Sequence, residues 1–408
     1  MKKVIILCLM LLIAVSSMPI VYAEGSDIAA LSAEFALAID VEQGTVLYEK
    51  NADKKMYPAS MTKIVTVLVA LELIDDLAES VVITETDLET IFETGASAAY
   101  FEVGEIVTYE DLIYGAMLPS GADATRALAH NLADSYSDFV DKMNDISKNL
   151  GLVNTNFVNS TGIHDDNHYT TADDLAAILQ YAIKNDDFMK VFSTYYYTTK
   201  NGLRGWLNTG MFNTTMLNFD KDYIIGCKSG YTHEAQRCLA SLIMVDDREI
   251  ITIVGHSDRE IRGSANIDTN LIAEFIENTH KVVTIHSERE LVDELPIMFG
   301  VDDLYALHFA SDVNVYLPIN FNNEDLEYSF QFEELKAPIE HGHEIGTLTI
   351  AYQNHEIYTQ DFYVDRMLER NNISYVRHNI KIFFLSYRVI FWLALMLIIL
   401  ILYVKIKK

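Results

Sequence analysis

Ser60-Met61-Thr62-Lys63 places a hydroxyl and an amine three positions apart. On a helix that spacing puts both on one face, one turn from each other. A serine hydroxyl is a poor nucleophile until a base removes its proton. Lysine serves as that base only when it is largely neutral, which needs desolvation or a neighbouring positive charge. The run from Ile64 to Leu71, apolar except at Thr66, supplies the desolvation. Pro58-Ala59 precedes the serine and sets it near a helix N-terminus, where the dipole favours developing negative charge. Lys63 activating Ser60 is covalent catalysis through serine.

A tetrad of this kind arises by chance about once or twice in a chain this long, so its company matters. Ser120-Gly121-Ala122 falls in a break between two helical patterns, where a hydroxyl can project into a cleft. Lys228-Ser229-Gly230 ends a strand, bringing a second lysine and a third hydroxyl ahead of a glycine that lets a substrate approach the backbone. Converging, these groups give a base, a proton relay and an anion site.

The elements that must position them are readable from apolar periodicity. Phe35 to Asp40 and Thr45 to Tyr48 form a hairpin pattern around Gly44. Ser60 to Ile74 reads as a helix buried on most faces. A helical pattern from Thr108 to about His130 is broken at Pro119-Ser120-Gly121, and Thr108 with Asp111 resembles a capping box. A further helix starts near Ser137 and stops at Gly151. Three strands, Tyr223 to Lys228, Cys238 to Val245 and Glu249 to Gly255, precede a helix from about Asn266 to Glu277. Strands at both ends with helices between predict an α+β domain, helices packed on an antiparallel sheet. After His280 short alternating runs take over: Val313 to Pro318, Tyr328 to Phe332, Gly346 to Tyr352 and Glu356 to Val364. They predict a small all-β module, read as a spacer.

Taken in order, "SMTK", "SGA" and "KSG" resemble the S-x-x-K, S-x-N and K-T-G motifs of the serine-type D-Ala-D-Ala carboxypeptidases, the low-molecular-mass penicillin-binding proteins. The stretches "AIDVEQGTVLYEKNADKKMYPAS", "LPSGADA", "NTNFVNSTGIHDDNHYTTADDLA" and "KSGYTHEAQRCLAS" are similar to the family as well, and "LKAPIEHGHEIGTLTI" resembles its C-terminal domain. The resemblance implies a β-lactamase/transpeptidase-like catalytic domain at 24–279 and an all-β domain at 280–370. It implies Ser60 as acylating nucleophile, Lys63 as its base, and Ser120 as the group passing the proton toward the leaving group. Lys228 and Ser229, with Gly230, would bind the substrate's terminal carboxylate. The N–H groups of Ser60 and Tyr231 would form the oxyanion hole. Peptidoglycan stem peptides are the implied substrates and β-lactams the implied covalent inhibitors, with no cofactor and no metal.

Two positions depart from the family's pattern. Ser229 stands for the usual threonine and keeps the hydroxyl. Ala122 stands for the asparagine whose amide would hold the lysine and contact the substrate, while Asp123 keeps the register. Loss of one such contact costs about 1–3 kcal/mol. The alternative it opens is a catalytically weak protein that binds peptidoglycan or penicillin. A β-lactamase shares the S-x-x-K logic, but the β module and the C-terminal segment point away from it.

Other residues invite weaker readings. His164 and His168 suggest a metal, but no further ligand cluster accompanies them. Arg262 could grip a carboxylate. Cys227 and Cys238 are compatible with a disulfide or with two free thiols. No Gly-rich phosphate loop occurs, and a net charge of −29 excludes a nucleic-acid partner, which needs a basic surface.

The termini carry targeting patterns. Lys2 and Lys3, the apolar run Val4 to Val15 and Val21-Tyr22-Ala23 predict a signal peptide over 1–23. Ile382 to Val404, apolar except at Ser386 and Arg388 and followed by three lysines, predicts a transmembrane anchor at 382–404. As a helix it is roughly 35 Å long. The expected location is the outer face of the cell membrane.

Overall fold

The computed structural model describes residues 28–89, 91–219, 221–352 and 355–406, without the side chains at 92, 93, 385, 386, 389, 393 and 400–406. The signal peptide expected at 1–23 lies outside the described residues. The chain divides into two compact units, 1–281 and 282–408.

The first unit is built on a five-stranded antiparallel sheet. Its strands are β1 (Phe35–Asp40), β2 (Val46–Lys50), β3 (Ile224–Thr232), β4 (Gln236–Val245) and β5 (Arg248–Ser257). They lie in the order β2-β1-β5-β4-β3. The central strand β5 is buried at every position from Ile250 to Val254, so both of its faces are covered. Helices Ala172–Ala182 and Ser264–Thr279 pack against it. Register is fixed in the middle of the sheet, where Ser241 Oγ and Thr252 Oγ1 lie 2.7 Å apart as cross-strand partners. β3 is an edge strand, so one side of its backbone is open to a ligand.

Helix α1 (Lys63–Leu73) is buried from Lys63 to Ala70. It is enclosed by α2 (Tyr109–Met117), α3 (Ala122–Leu132) and the helices Tyr136–Asn149 and Ala172–Ala182. An apolar sequence on all faces of α1 is what that enclosure requires. The capping box at Thr108 and Asp111 forms with both hydrogen bonds, at 3.0 and 3.1 Å. The break between α2 and α3 contains Ser120 in the left-handed region, φ 65°.

Two expected elements differ. The strand expected to end at Lys228 runs on to Thr232, so Lys228-Ser229-Gly230 lies inside it. Ser60 is not in the α-helix but in a 3-10 turn, Ala59–Thr62, that leads into it. Ala59 has φ 47°, a conformation that costs a residue with a Cβ about 1–2 kcal/mol. Tertiary contacts from Gly162 and Gly230 hold it there.

The second unit is all-β up to its terminal helix. Strands Leu326–Phe332, Glu344–Tyr352 and His355–Tyr363 form one antiparallel sheet. Leu291–Met298 pairs with Leu304–His308 and, in parallel, with Leu335–Lys336. Val313, Val315, Leu317, Ile345, Leu348 and Ile350 fill the interior. The helix Asn372–Ile406 follows. It contains the stretch expected to span a membrane, but among the described residues no helix is long and apolar enough to cross one. The structure does not carry the expectation of a span at 382–404.

Candidate active site

The nucleophile turn is held from three sides. Thr62 Oγ1 donates to the Ala59 carbonyl at 2.8 Å. His168 accepts from Val158 N–H at Nδ1, 3.1 Å, which fixes its proton on Nε2, where it donates to Thr62 Oγ1 at 2.8 Å. Two glycines then allow close approach. A Cβ at Gly162 would stand 1.9 Å from the Ala59 carbonyl oxygen, and one at Gly230 would stand 3.0 Å from Ser60 N. The edge of β3 and the 159–163 loop therefore clamp Ala59 in its left-handed conformation and leave Ser60 half-buried at the cleft.

Lys63 Nζ lies 3.0 Å from Ser60 Oγ and donates to the Thr161 carbonyl at 2.5 Å. Its side chain is 2 % exposed. Burial first, and then the charge of Lys228, hold its pKa well below the usual lysine range, with Asp123 opposing them. That shift favours the neutral amine, the form in which a lysine can act as a base. Asn159 shapes the loop that presents Thr161. Its Oδ1 accepts from Thr161 N–H, Thr161 Oγ1 and Gly162 N–H at 3.1, 3.0 and 2.7 Å, and its Nδ2 donates to the Ile163 carbonyl at 2.9 Å.

Lys228, also buried, donates to Ser120 Oγ and to the Ser229 carbonyl, each at 2.9 Å. Burial pushes its pKa down to about 7, with Cys227 opposing. Asn208 supports the strand behind it, donating to the Cys227 carbonyl at 3.0 Å while capping helix Thr209–Leu217. Ser229 and Gly230 are half-buried and Tyr231 is exposed at the mouth. Ser60, Lys63, Ser120, Ser229, Gly230 and Tyr231 thus meet along one cleft of about 550 Å³, with Lys228 beneath it. Two lysines lie deep and the hydroxyls lie above them, the arrangement an acyl transfer needs.

Asp123 is buried and braces the near wall. It accepts from Ala99 N–H at 2.8 Å, Phe101 N–H at 3.2 Å and Ala124 N–H at 3.0 Å. Ala122 does not line the cleft; it packs against Ile91 and Ala98.

Some sequence readings fall elsewhere. Arg262 is exposed and does not line the cleft; Arg237 does, with its Nε donating to the Arg259 carbonyl at 3.2 Å. His168 has both ring nitrogens engaged, and His164 packs edge-on against Tyr57 with ring centroids 4.6 Å apart. Cys227 and Cys238 are both buried free thiols. In the β3–β4 register Cys227 faces Ser241 and Cys238 faces Gly230, so the two are not paired. Two residues of the site went unread in the sequence: Thr161, which acts through its backbone, and Asn159, which orders the loop around it.

The sequence pattern of the peptidase S11 family, D-alanyl-D-alanine carboxypeptidase, matches residues 22–258. Over 322 residues the chain is 30% identical to D-alanyl-D-alanine carboxypeptidase DacF of Bacillus subtilis strain 168, covering 78% of this chain and 81% of DacF. D-alanyl-D-alanine carboxypeptidase DacA of Escherichia coli strain K12 is 31% identical over 333 residues, 78% of this chain and 79% of DacA. Among solved structures, the Streptomyces K15 DD-transpeptidase matches with a TM-score of 0.55 at 32% identity, over 60% of this chain and 97% of that one. Penicillin binding protein 5 from Haemophilus influenzae matches over 83% of this chain and 98% of its own with a TM-score of 0.66; at 22% identity that likeness concerns the fold. The first unit has the α+β transpeptidase-like fold.

Proposed function

The chain belongs to the D-alanyl-D-alanine carboxypeptidase family, and on that footing we propose that it removes the terminal D-alanine from peptidoglycan stem pentapeptides through an acyl-enzyme on Ser60. The observation that carries this reading is the desolvated Lys63 amine, 3.0 Å from Ser60 Oγ, in a cleft with a second lysine, Lys228, buried beneath it. Neutral Lys63 takes the hydroxyl proton as Ser60 Oγ attacks the carbonyl carbon of the penultimate D-alanine. An O–C bond forms and the carbonyl π pair moves to oxygen, facing the N–H groups of Ser60 and Tyr231. On collapse the C–N bond breaks. The leaving amine takes the proton, passed from Lys63 by way of Ser120. Lys228 and Ser229, with Gly230 allowing close approach, hold the terminal carboxylate. Water then attacks the acyl carbon with Lys63 again as base, freeing Ser60. A β-lactam acylates the same serine.

The alternative of a weakly catalytic binding protein rests on Ala122. The Thr161 carbonyl supports the placement of Lys63 without an asparagine, which favours turnover. D-alanine release from a diacyl-Lys-D-Ala-D-Ala peptide, measured beside fluorescent penicillin labelling, tests the proposal. Both activities are expected in the wild type and neither in Ser60→Ala; release that survives in Ser60→Ala overturns it.

We also assign catalysis to 24–279 and a spacer role to 280–370. The family's work on the cell wall supports an extracytoplasmic location. Export by residues 1–23 and anchoring by 382–404 rest on the sequence runs there, and Phe383, Phe384, Ile390, Phe391 and Trp392 are exposed apolar side chains on one helix. A chain that stays in the membrane pellet after alkaline extraction, and becomes extractable when truncated before Ile382, supports the anchor. Equal extraction of both forms refutes it.

A further inference from the structure

Resting on the acyl-transfer reading above, we infer that Ser97 is a substrate-positioning residue, supplying from a neighbouring loop the polar contact that Ala122 lacks. Ala122 has only a methyl, and that methyl is buried against Ile91 and Ala98 instead of facing the cleft. Ser97 is exposed on the cleft wall, lining it together with Ser60, Lys63 and Ser120. Its backbone is fixed. The Ser97 carbonyl accepts from Ala122 N–H at 2.8 Å, so the loop is tied to the residue after Gly121. The Asp123 carboxylate takes Ala99 N–H and Phe101 N–H, and Trp206 Nε1 donates to the Ala99 carbonyl at 3.2 Å.

The Ser97 hydroxyl, by contrast, has no protein partner among the described residues. An uncommitted hydroxyl on a braced backbone is suited to ligand recognition, because little entropy is lost when it binds. The partner it fits is a backbone amide of the stem peptide on the acyl side of the scissile bond, whose carbonyl accepts its proton or whose N–H donates to its oxygen. Lys63 and Ser120 keep the proton transfers. Ser97 sets where the acyl chain lies while they occur.

The test compares the full-length wild type with Ser97→Ala and Ser97→Thr, using the diacyl-Lys-D-Ala-D-Ala peptide and fluorescent penicillin. Loss of one neutral hydrogen bond corresponds to about a 3–10-fold effect. Ser97→Ala is expected to raise KM by about that factor with kcat within about twofold, since the contact is made before and during the reaction alike. Tm should be unmoved, and Ser97→Thr should restore KM because it keeps the hydroxyl. If the wild type labels without releasing D-alanine, the same fold loss is read on the second-order labelling constant. An unaltered KM and labelling constant in Ser97→Ala, or a Ser97→Thr variant as impaired as Ser97→Ala, overturns the inference while leaving the carboxypeptidase reading intact. A fall in Tm that accounts for the loss also overturns it. A wild type that neither labels nor releases D-alanine rejects the underlying reading, and the inference with it.

Discussion

Lys63 Nζ donates to the carbonyl oxygen of Thr161 across 2.5 Å, 98 residues away in the chain. A neutral amine has two N–H bonds and one lone pair. With one N–H committed to that carbonyl, the lone pair can turn to Ser60 Oγ, 3.0 Å away. The lysine is therefore held by backbone, in a chain where Ala122 cannot hold it. That assigns an unusual weight to the loop that presents the carbonyl.

Asn159 ties that loop together through three accepted hydrogen bonds and one donated one. Asn159→Ala is expected to lower kcat about 10–100-fold while KM moves by less than about threefold, because the base is misaimed and the binding surface remains. Loss of buried hydrogen bonds should also destabilise the fold by about 1–3 kcal/mol. Steady-state kinetics beside a thermal melt checks both, and an unchanged kcat would show that Thr161 needs no such support.

The pH profile follows from the two lysines. Lys63 works as a base in its neutral form, so kcat/KM should rise as pH rises through its lowered pKa. Lys228 meets the substrate carboxylate as a cation and titrates at about 7, so kcat/KM should fall above that pH. Lys63 sets the rising limb, and the limb expected from Lys228 is a fall near pH 7. A peptide ending in a carboxamide should lose that limb. A profile that climbs steadily to pH 9 with the free-carboxylate peptide excludes this role for Lys228.

Gly162 has φ 81° and a Cβ there would stand 1.9 Å from the Ala59 carbonyl oxygen. Gly162→Ala therefore strains its own backbone, by about 1–3 kcal/mol, and also pushes on the turn that carries the nucleophile. Both Tm and the penicillin labelling rate are expected to drop, the latter by at least about tenfold. A variant that labels at the wild-type rate would mean the clamp on Ala59 is dispensable.

What could be read from the sequence here followed how local each signal is. Ile250 to Val254 and Ile64 to Leu71 read correctly as a strand and a helix because continuous burial leaves a continuous apolar run. Ser60 and Lys63 were legible as a pair because three-residue spacing aligns side chains in a 3-10 turn as it does in an α-helix. The turn itself was not, since φ 47° at Ala59 is imposed by Gly162 and Gly230, remote in the chain. Thr161 acts through a carbonyl, and every residue has one, so no side chain marked it. Arg262 was read as a possible carboxylate grip, yet it is the β3–β4 register that brings an arginine to the cleft, placing Arg237 opposite Tyr231.

His168 joins stability to pH. Its pKa is pushed down to about 4, by burial first, then by the charges of His164 and Lys63, with Asp165 opposing. The unfolded chain, with an ordinary histidine near pH 6.5, binds the proton more readily than the folded one over the interval from 6.5 down to about 4. Stability from this group is therefore full above pH 6.5 and is lost progressively as pH falls to about 4, by on the order of 3 kcal/mol. His280, also buried and pushed down to about 4, acts in the same window. His168→Asn should shrink the loss of stability between pH 7 and 4 by about half, while lowering stability at pH 7 because Thr62 and Val158 N–H lose well-placed partners. Chemical denaturation at a series of pH values measures both. If the slope in that window matches the wild type, the proton uptake on unfolding belongs to other groups.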